Sequence, residues 1–195
     1  MGNQRYRVEC IFAGDQRAAL DNLLRLLGRR EWLTQRLYDG ATRTTLAKLI
    51  RCDMANNAAD SAARIARVRC EFVAEPFWYS NEVNVNFNSA SSVSVDHLGN
   101  ARCVRHLRIV VNTLLPDGTL TIQGLGCSLN FSGSTNAPLT IDAGAHSVRV
   151  GSLDAFARCN RPDAQIPLFW LEPGTNTITF SRSLSGAVIF RHTYV

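Results

Sequence analysis

The sequence predicts a mainly β protein with one N-terminal helix, an α+β chain in which a small β-α-β unit precedes an antiparallel β-sandwich or jelly roll. Three observations lead there. Residues 5–12 and 63–74 alternate apolar and charged side chains with the period of a half-buried strand. Between them Leu20, Leu23, Leu24 and Leu27 recur at helical spacing, one stripe of a single helix. Beyond Pro76 no helix of normal length can be drawn, and short alternating runs separated by Gly, Asn, Asp and Pro continue to the C-terminus.

Taken in order, residues 5–12 place Tyr6, Val8, Cys10 and Phe12 on one face and Arg5, Arg7 and Glu9 on the other. A helix over 15–27 follows, with Asp15 as its N-cap and Gly28 as the residue that ends it. Ala19 and Leu26 widen its apolar arc beyond what one small sheet covers, so the core wraps round it or a neighbouring subunit takes that shoulder. Arg29 and Arg30 come next, where the helix dipole favours cations. Asp39-Gly40 then signals a hairpin between a strand containing Trp32 and Leu33 and a returning strand over 42–52. A small-residue loop over 56–62 leads to the strand at 63–74, in which Val68, Cys70, Phe72 and Ala74 oppose Arg67, Arg69 and Glu71. The first unit is therefore β-α-β-β-β, and Pro76 marks its end, giving domains of 1–75 and 76–195. Strands of the second are expected at 82–87, 93–96, 103–112, 118–123, 127–131, 139–142, 147–150, 175–180 and 187–194, with Pro116-Asp117-Gly118 as a hairpin turn.

Bulk properties narrow the function. The chain has 195 residues, 46% hydrophobic and 19% charged, enough for one good core or two small ones. Residues 1–75 hold 13 basic and 9 acidic side chains and residues 76–195 hold 8 and 7, so the excess of +5 is mostly N-terminal. Only Lys48 is a lysine, and guanidinium groups suit interfaces better than ammonium groups do. Arg67 and Arg69 are matched by Glu71 and Glu75, which argues against a sequence-specific nucleic-acid surface. No stretch is apolar enough to span a bilayer, and the N-terminus lacks a signal peptide's apolar segment. The six cysteines, at 10, 52, 70, 103, 127 and 159, show no metal or redox spacing and read as buried free thiols, with a disulfide in an extracellular particle as the alternative.

No catalytic constellation emerges. The four histidines (97, 106, 146, 192) fall in no motif; Asp96 and His97 read as polar residues at the surface near a turn, whereas His192 occupies one face of the final strand as a partly buried side chain. Serines lack a nucleophile elbow, and Gly124-Leu125-Gly126 is not followed by a helix that could bind phosphate. Catalytic, metal-binding and cofactor-binding residues are therefore expected to be none. Phe77-Trp78-Tyr79 reads first as an aromatic plug at the start of the sandwich core and second as a stacking surface. Trp78 and Trp170 are the candidate stacking faces for a ligand.

Two segments together carry a resemblance. Phe72-Val73-Ala74-Glu75-Pro76-Phe77-Trp78-Tyr79-Ser80, and Phe169-Trp170-Leu171-Glu172-Pro173-Gly174-Thr175-Asn176-Thr177-Ile178 followed by Gly186-Ala187-Val188-Ile189-Phe190-Arg191-His192-Thr193-Tyr194, resemble the distal tail proteins of long-tailed phages with non-contractile tails. In that family an acidic-Pro-aromatic junction opens a galectin-like or jelly-roll C-terminal domain, and the helix with its Asp39-Gly40 hairpin is similar to the ring-forming region. The resemblance implies a structural, non-enzymatic virion protein of the tail tip or baseplate, assembled in the host cytoplasm. It implies a homo-oligomeric ring of six copies between the tail tube protein and the tail-tip hub and tape-measure proteins. A sandwich projecting outward would hold a tail fibre or receptor-binding protein. Family members usually carry further strands before the segment that starts here at Arg5, so a neighbouring subunit or another tail protein is expected to supply them, or the ring domain is reduced. The subunit interface is expected at Ala19, Asp21, Arg25, Leu26, Arg29 and Arg30. A carbohydrate-binding sandwich is the alternative function.

Overall fold

A computed structural model of the chain describes residues 3–13, 16–54, 65–160 and 169–195. Its contacts separate into two compact units, Met1–Trp78 and Tyr79–Val195.

The first unit follows the expected β-α-β-β-β order: β1 (Gln4–Ala13), α1 (Gln16–Leu26), β2 (Arg30–Arg36), β3 (Thr42–Met54) and β4 (Ile65–Ala74). All pairings are antiparallel, and the sheet runs β1-β4-β3-β2. Alternation sets which side is buried: Val68 and Cys70 of β4, with Leu49 of β3, form the core beneath α1, and Cys10, Phe12, Leu20, Leu23, Cys52 and Phe72 pack round them. The β2–β3 hairpin turns at Asp39-Gly40 as expected. Gly40 adopts φ 83°, Leu37 and Ala41 close the turn through a 2.7 Å backbone bond, and the Asp39 carboxylate accepts the Ala41 N–H at 2.9 Å. Gly28, at φ 80°, ends the helix in the left-handed conformation its position calls for. The Asp15 cap and the loop over 56–62 lie outside the described residues.

Half of the expected buried stripe is not buried. Leu20 and Leu23 reach the core, but Leu24 and Leu27 remain 44% and 45% exposed, and Leu26 is 40% exposed. The described strands of this unit number four, and a helix turns about 100° per residue, so Leu24 lies to one side of the stripe that packs on them. Leu27 has left the helix and bridges Leu49 through the backbone.

In the second unit two long strands replace four expected short ones. β5 (Trp78–His97) joins the runs predicted at 82–87 and 93–96, and β13 (Gly174–Tyr194) joins those at 175–180 and 187–194. The intervening residues are rich in serine, which reads as a turn in sequence, yet both runs lie within continuous strands that bend. Ser89 takes φ 46°; its N–H donates to Ser185 Oγ at 3.0 Å, and that hydroxyl donates to Asn88 Oδ1 at 2.7 Å, pinning the bend of one long strand to that of the other. Between its ends β13 changes partners. Thr179 and Phe180 pair with β7 (Thr119–Gln123), whereas Gly186–Ile189 pair with β6 (Arg108–Val111). One layer continues β6-β9-β10-β11, with β9 (Leu139–Asp142), β10 (Ser147–Val150) and β11 (Leu153–Asp154), and the other continues β7-β8-β12, with β8 (Leu129–Ser132) and β12 (Cys159–Asn160). The result is a curled, jelly-roll-like β-sandwich.

Three further expectations are corrected. Pro116-Asp117-Gly118 is not a hairpin turn, because β6 and β7 do not pair; the segment carries the chain from one layer to the other, and Gly133 donates to Gly118 O at 2.7 Å. The strand expected over 103–112 is confined to Arg108–Val111, with Cys103 making an isolated bridge to Leu171. β11 and β12, two residues each, were not anticipated because periodicity cannot register so short a run. Between the layers Phe131, Phe169, Phe190, Leu107, Ile109 and Ile122 are fully buried. Each such side chain contributes about 1.5–3 kcal/mol relative to exposure. Before β13 the Pro173-Gly174 turn is closed by Asn176, whose side chain accepts the Glu172 N–H at 3.0 Å and donates to Glu172 O and Gly174 O at 2.8 and 2.9 Å.

Candidate functional site

The exposed flank of α1 is the candidate assembly surface. Ala19, Asp21, Arg25 and Leu26 all lie in the helix; Asp21, Arg25 and Leu26 are exposed, as is Arg29 in the link to β2. At about 100° per residue Leu24 and Leu26 face different sides of α1, one on each shoulder of the Leu20–Leu23 stripe, and Leu27 follows the helix end. Three exposed leucines within four residues, on a unit with so small a core, are apolar surface that partners can cover. Arg30 is placed differently: it opens β2, opposite Lys48, and its guanidinium pairs with Glu75.

The opposite face of the same sheet is polar. Arg7 of β1, Glu71 of β4 and Arg51 of β3 are aligned in one row, and Glu9, Arg69 and Asp53 in the next. Signs therefore alternate both along and across the strands. Arg69 and Arg67 reach Glu9 at 3.6 and 3.2 Å, Arg5 reaches Glu71 at 3.4 Å, and Arg51 reaches Asp53 at 2.6 Å. The six side chains of the two rows line a concavity of about 520 Å³. Each exposed pair contributes roughly 0–1 kcal/mol, and the six side chains of the two rows balance in charge. Arg67 and Arg69 were expected to be matched by Glu71 and Glu75; the register gives them Glu9 instead.

The two candidate stacking residues sit in closed environments. Trp78 is half-buried, its ring 5.5 Å from Tyr6 at 83°, and its Nε1–H donates to Tyr6 Oη at 2.8 Å. Tyr79, by contrast, is buried against His106 at 4.4 Å, the plug that the aromatic run suggested. Trp170 has the Arg102 guanidinium 5.2 Å from its ring centroid, and it lies so close to Gly126 that a Cβ there would stand 2.0 Å from the ring. Its Nε1–H donates to Glu172 at 2.8 Å, and Arg102 Nε bridges the same carboxylate at 2.8 and 3.1 Å. Burial acts to raise the Glu172 carboxyl, but the hydrogen bonds from Arg102 and Trp170, with the Arg102 charge, outweigh it and hold it below the usual range.

His97 is not a surface residue. It is 0% exposed, stacked on His192 with ring centroids 5.6 Å apart. His97 Nε2 lies 2.7 Å from Ala101 O, which can only accept, so that nitrogen carries the proton. His192 Nδ1 accepts the Leu98 N–H at 3.0 Å, and the two Nδ1 atoms face each other at 3.3 Å. Burial lowers both rings' pKa; the Ala101 bond partly opposes this at His97, and the His97 charge adds to it at His192. No sequence motif links residues 95 positions apart, so only the fold reveals the pair. A depressed folded-state pKa means that the unfolded chain binds protons first, so stability is full above about pH 6.5 and falls as the pH drops through it. Urea unfolding midpoints at pH 7.5 and 5.5 are expected to show this drop, and His192→Gln to flatten it; loss of the Leu98 bond alone is worth about 1 kcal/mol.

Among the described residues no group of three or more His, Cys, Asp or Glu side chains is suited to hold a metal ion, and no helix is long and apolar enough to cross a membrane. No protein-family model and no curated protein sequence matches the chain. The fold, however, is that of a solved phage protein: over 100% of this chain and 80% of the other, with a TM-score of 0.71 and 15% identity, the chain is similar to the crystal structure of SPP1 Dit (gp 19.1), described as a paradigm of the hub adsorption apparatus in phages that infect Gram-positive hosts.

Proposed function

We propose that the chain is a structural, non-catalytic virion protein at the distal end of a bacteriophage tail, assembled in the host cytoplasm, where six copies close a ring. The likeness of fold over the whole chain to a hub adsorption protein carries this reading. In the ring the first unit joins neighbouring copies. The flank of α1, with Ala19, Asp21, Leu24, Arg25, Leu26, Leu27 and Arg29, meets a different patch on the next copy, as a closed heterologous interface requires. The tail tube protein lies on one side of the ring and the tail-tip hub and tape-measure proteins on the other. The C-terminal sandwich carries a tail fibre or receptor-binding protein. No cofactor enters this role.

A carbohydrate-binding role for the sandwich has less support: Arg102 and Gly126 occupy the surroundings of Trp170, and Tyr6 those of Trp78. Interrupting the gene in a phage that carries it tests the structural role. Infected cells are expected to yield filled heads and no adsorbing tails, with infectivity restored by a plasmid copy. Normal tails without the protein would rule the proposal out.

A further inference from the structure

Three of the six cysteines, spread over the sequence at positions 10, 52 and 70, converge on one face of the first unit beneath α1. Cys70 of β4 stands directly opposite Cys52 of β3, whereas Cys10 of β1 stands opposite Val68, one diagonal step from Cys70. All six cysteines are free thiols in the structure. The three form a row across the strands rather than a ring about a point, which suits pairwise bonding and not metal ligation.

Register decides which pair can bond. Residues directly opposed in an antiparallel pair have Cα atoms about 4.5–5.5 Å apart and side chains on the same face. A disulfide needs Cα atoms about 4.4–6.8 Å apart. A diagonal pair has its Cα atoms about 7–8 Å apart, beyond that reach, so Cys10 stands alongside Cys70 as a hydrogen-bond partner and not as a bonding partner. The β-bulge between Leu49 and Arg51 sets this alignment, because it shifts β3 by one residue just before Cys52.

We propose that Cys52 and Cys70 are an oxidation site: in the presence of a low-molecular-weight disulfide such as oxidised glutathione they form a cross-strand disulfide that staples β3 to β4. Cys52, half-buried, attacks first; its thiolate displaces one glutathione thiolate and leaves a mixed disulfide on Cys52. Cys70 then loses its proton and attacks the Cys52 sulfur, expelling the second glutathione. Two protein thiols are oxidised, one disulfide is reduced to two thiols, and the two protons end on the glutathiones. Burial, with Cys10 and Cys52 alongside, pushes the Cys70 thiol up to about 12. The second step is therefore slow at neutral pH and quickens as the pH rises. In a reducing cytosol the pair stays open, and it closes in oxidising surroundings. The gain is large for this unit because, among the described residues, its buried apolar cluster is as small as Leu49, Val68 and Cys70. The inference rests on strand register and stands whether or not the chain is a tail protein.

The test uses the purified full-length chain, incubated with excess oxidised glutathione at pH 8.5 and mapped by mass spectrometry without reduction. A peptide pair joined through Cys52 and Cys70 is expected, lighter by two hydrogen atoms, with Cys10 free. The oxidised protein's first unit is expected to melt roughly 10 °C higher than the reduced one. Cys10→Ser should leave the crosslink intact, and Cys52→Ser should abolish it. Cys70 joined to Cys10, Cys10 joined to Cys52, or Cys52 capped by glutathione with Cys70 still free after prolonged incubation, would each overturn the proposal.

Discussion

Replacing Gly124 by valine is expected to destabilise the sandwich by about 2–6 kcal/mol, a large share of a typical domain stability of ~5–15 kcal/mol. Two independent penalties meet at this position. Its backbone sits at φ 90°, a conformation that costs a β-branched residue roughly 1–3 kcal/mol. A Cβ would also stand 1.9 Å from the Thr177 carbonyl oxygen, and because that atom is backbone within β13 it cannot swing away. Chemical denaturation followed by intrinsic fluorescence measures the loss. Gly40→Ala is the internal control: its φ is 83°, but nothing lies within 4 Å of the added carbon, so only the backbone penalty remains and a cost of about 1 kcal/mol is expected.

Placing aspartate at both Leu24 and Leu27 is expected to disperse the ring while leaving the protomer folded. Both side chains are nearly half exposed in the protomer, so the substitution costs its fold little. In a closed ring the half of each side chain still exposed would be buried at the neighbour's surface, worth about 0.7–1.5 kcal/mol per leucine. Losing both at one contact corresponds to roughly ten- to a hundredfold weaker association, and the effect is multiplied over every contact of the proposed ring. Native mass spectrometry of the assembled ring reads this directly, with circular dichroism as the check on folding. A ring that forms with unchanged affinity would remove the α1 flank from the interface.

The first unit was the more legible in sequence, and the reasons are local. β1 and β4 each alternate over about ten residues with charge on one side only, and Asp39-Gly40 has turn chemistry that few other conformations want. The sandwich was legible as a class and less so in its strands. Asn88 to Ser92 and Ser181 to Gly186 look like turns because serine, asparagine, alanine and glycine dominate them, yet they are where β5 and β13 bend between layers, held to each other by Ser89 and Ser185. Nothing local signals such a bend. Gly186 marks it only in hindsight, since a Cβ there would lie 2.1 Å from Val110 O.

The site residues divide along the same line. The width of the helix's apolar arc could be read from spacing alone, and with it the idea that a partner covers Leu26. That Leu24 and Leu27 join the exposed part depends on how many strands lie beneath the helix, which is a tertiary fact. The cysteine row and the His97–His192 pair were invisible for a stronger reason. Each depends on register between strands distant in sequence, and at the cysteines a one-residue bulge decides whether Cys52 faces Cys70 at all.

The most direct measurement of the central proposal is immunogold electron microscopy of intact phage particles that carry this chain, with antibodies against its C-terminal sandwich. Gold is expected at the distal tip of the tail and nowhere else, in numbers consistent with a single ring. Gold along the tube, on the head, or absent from the particles would contradict it.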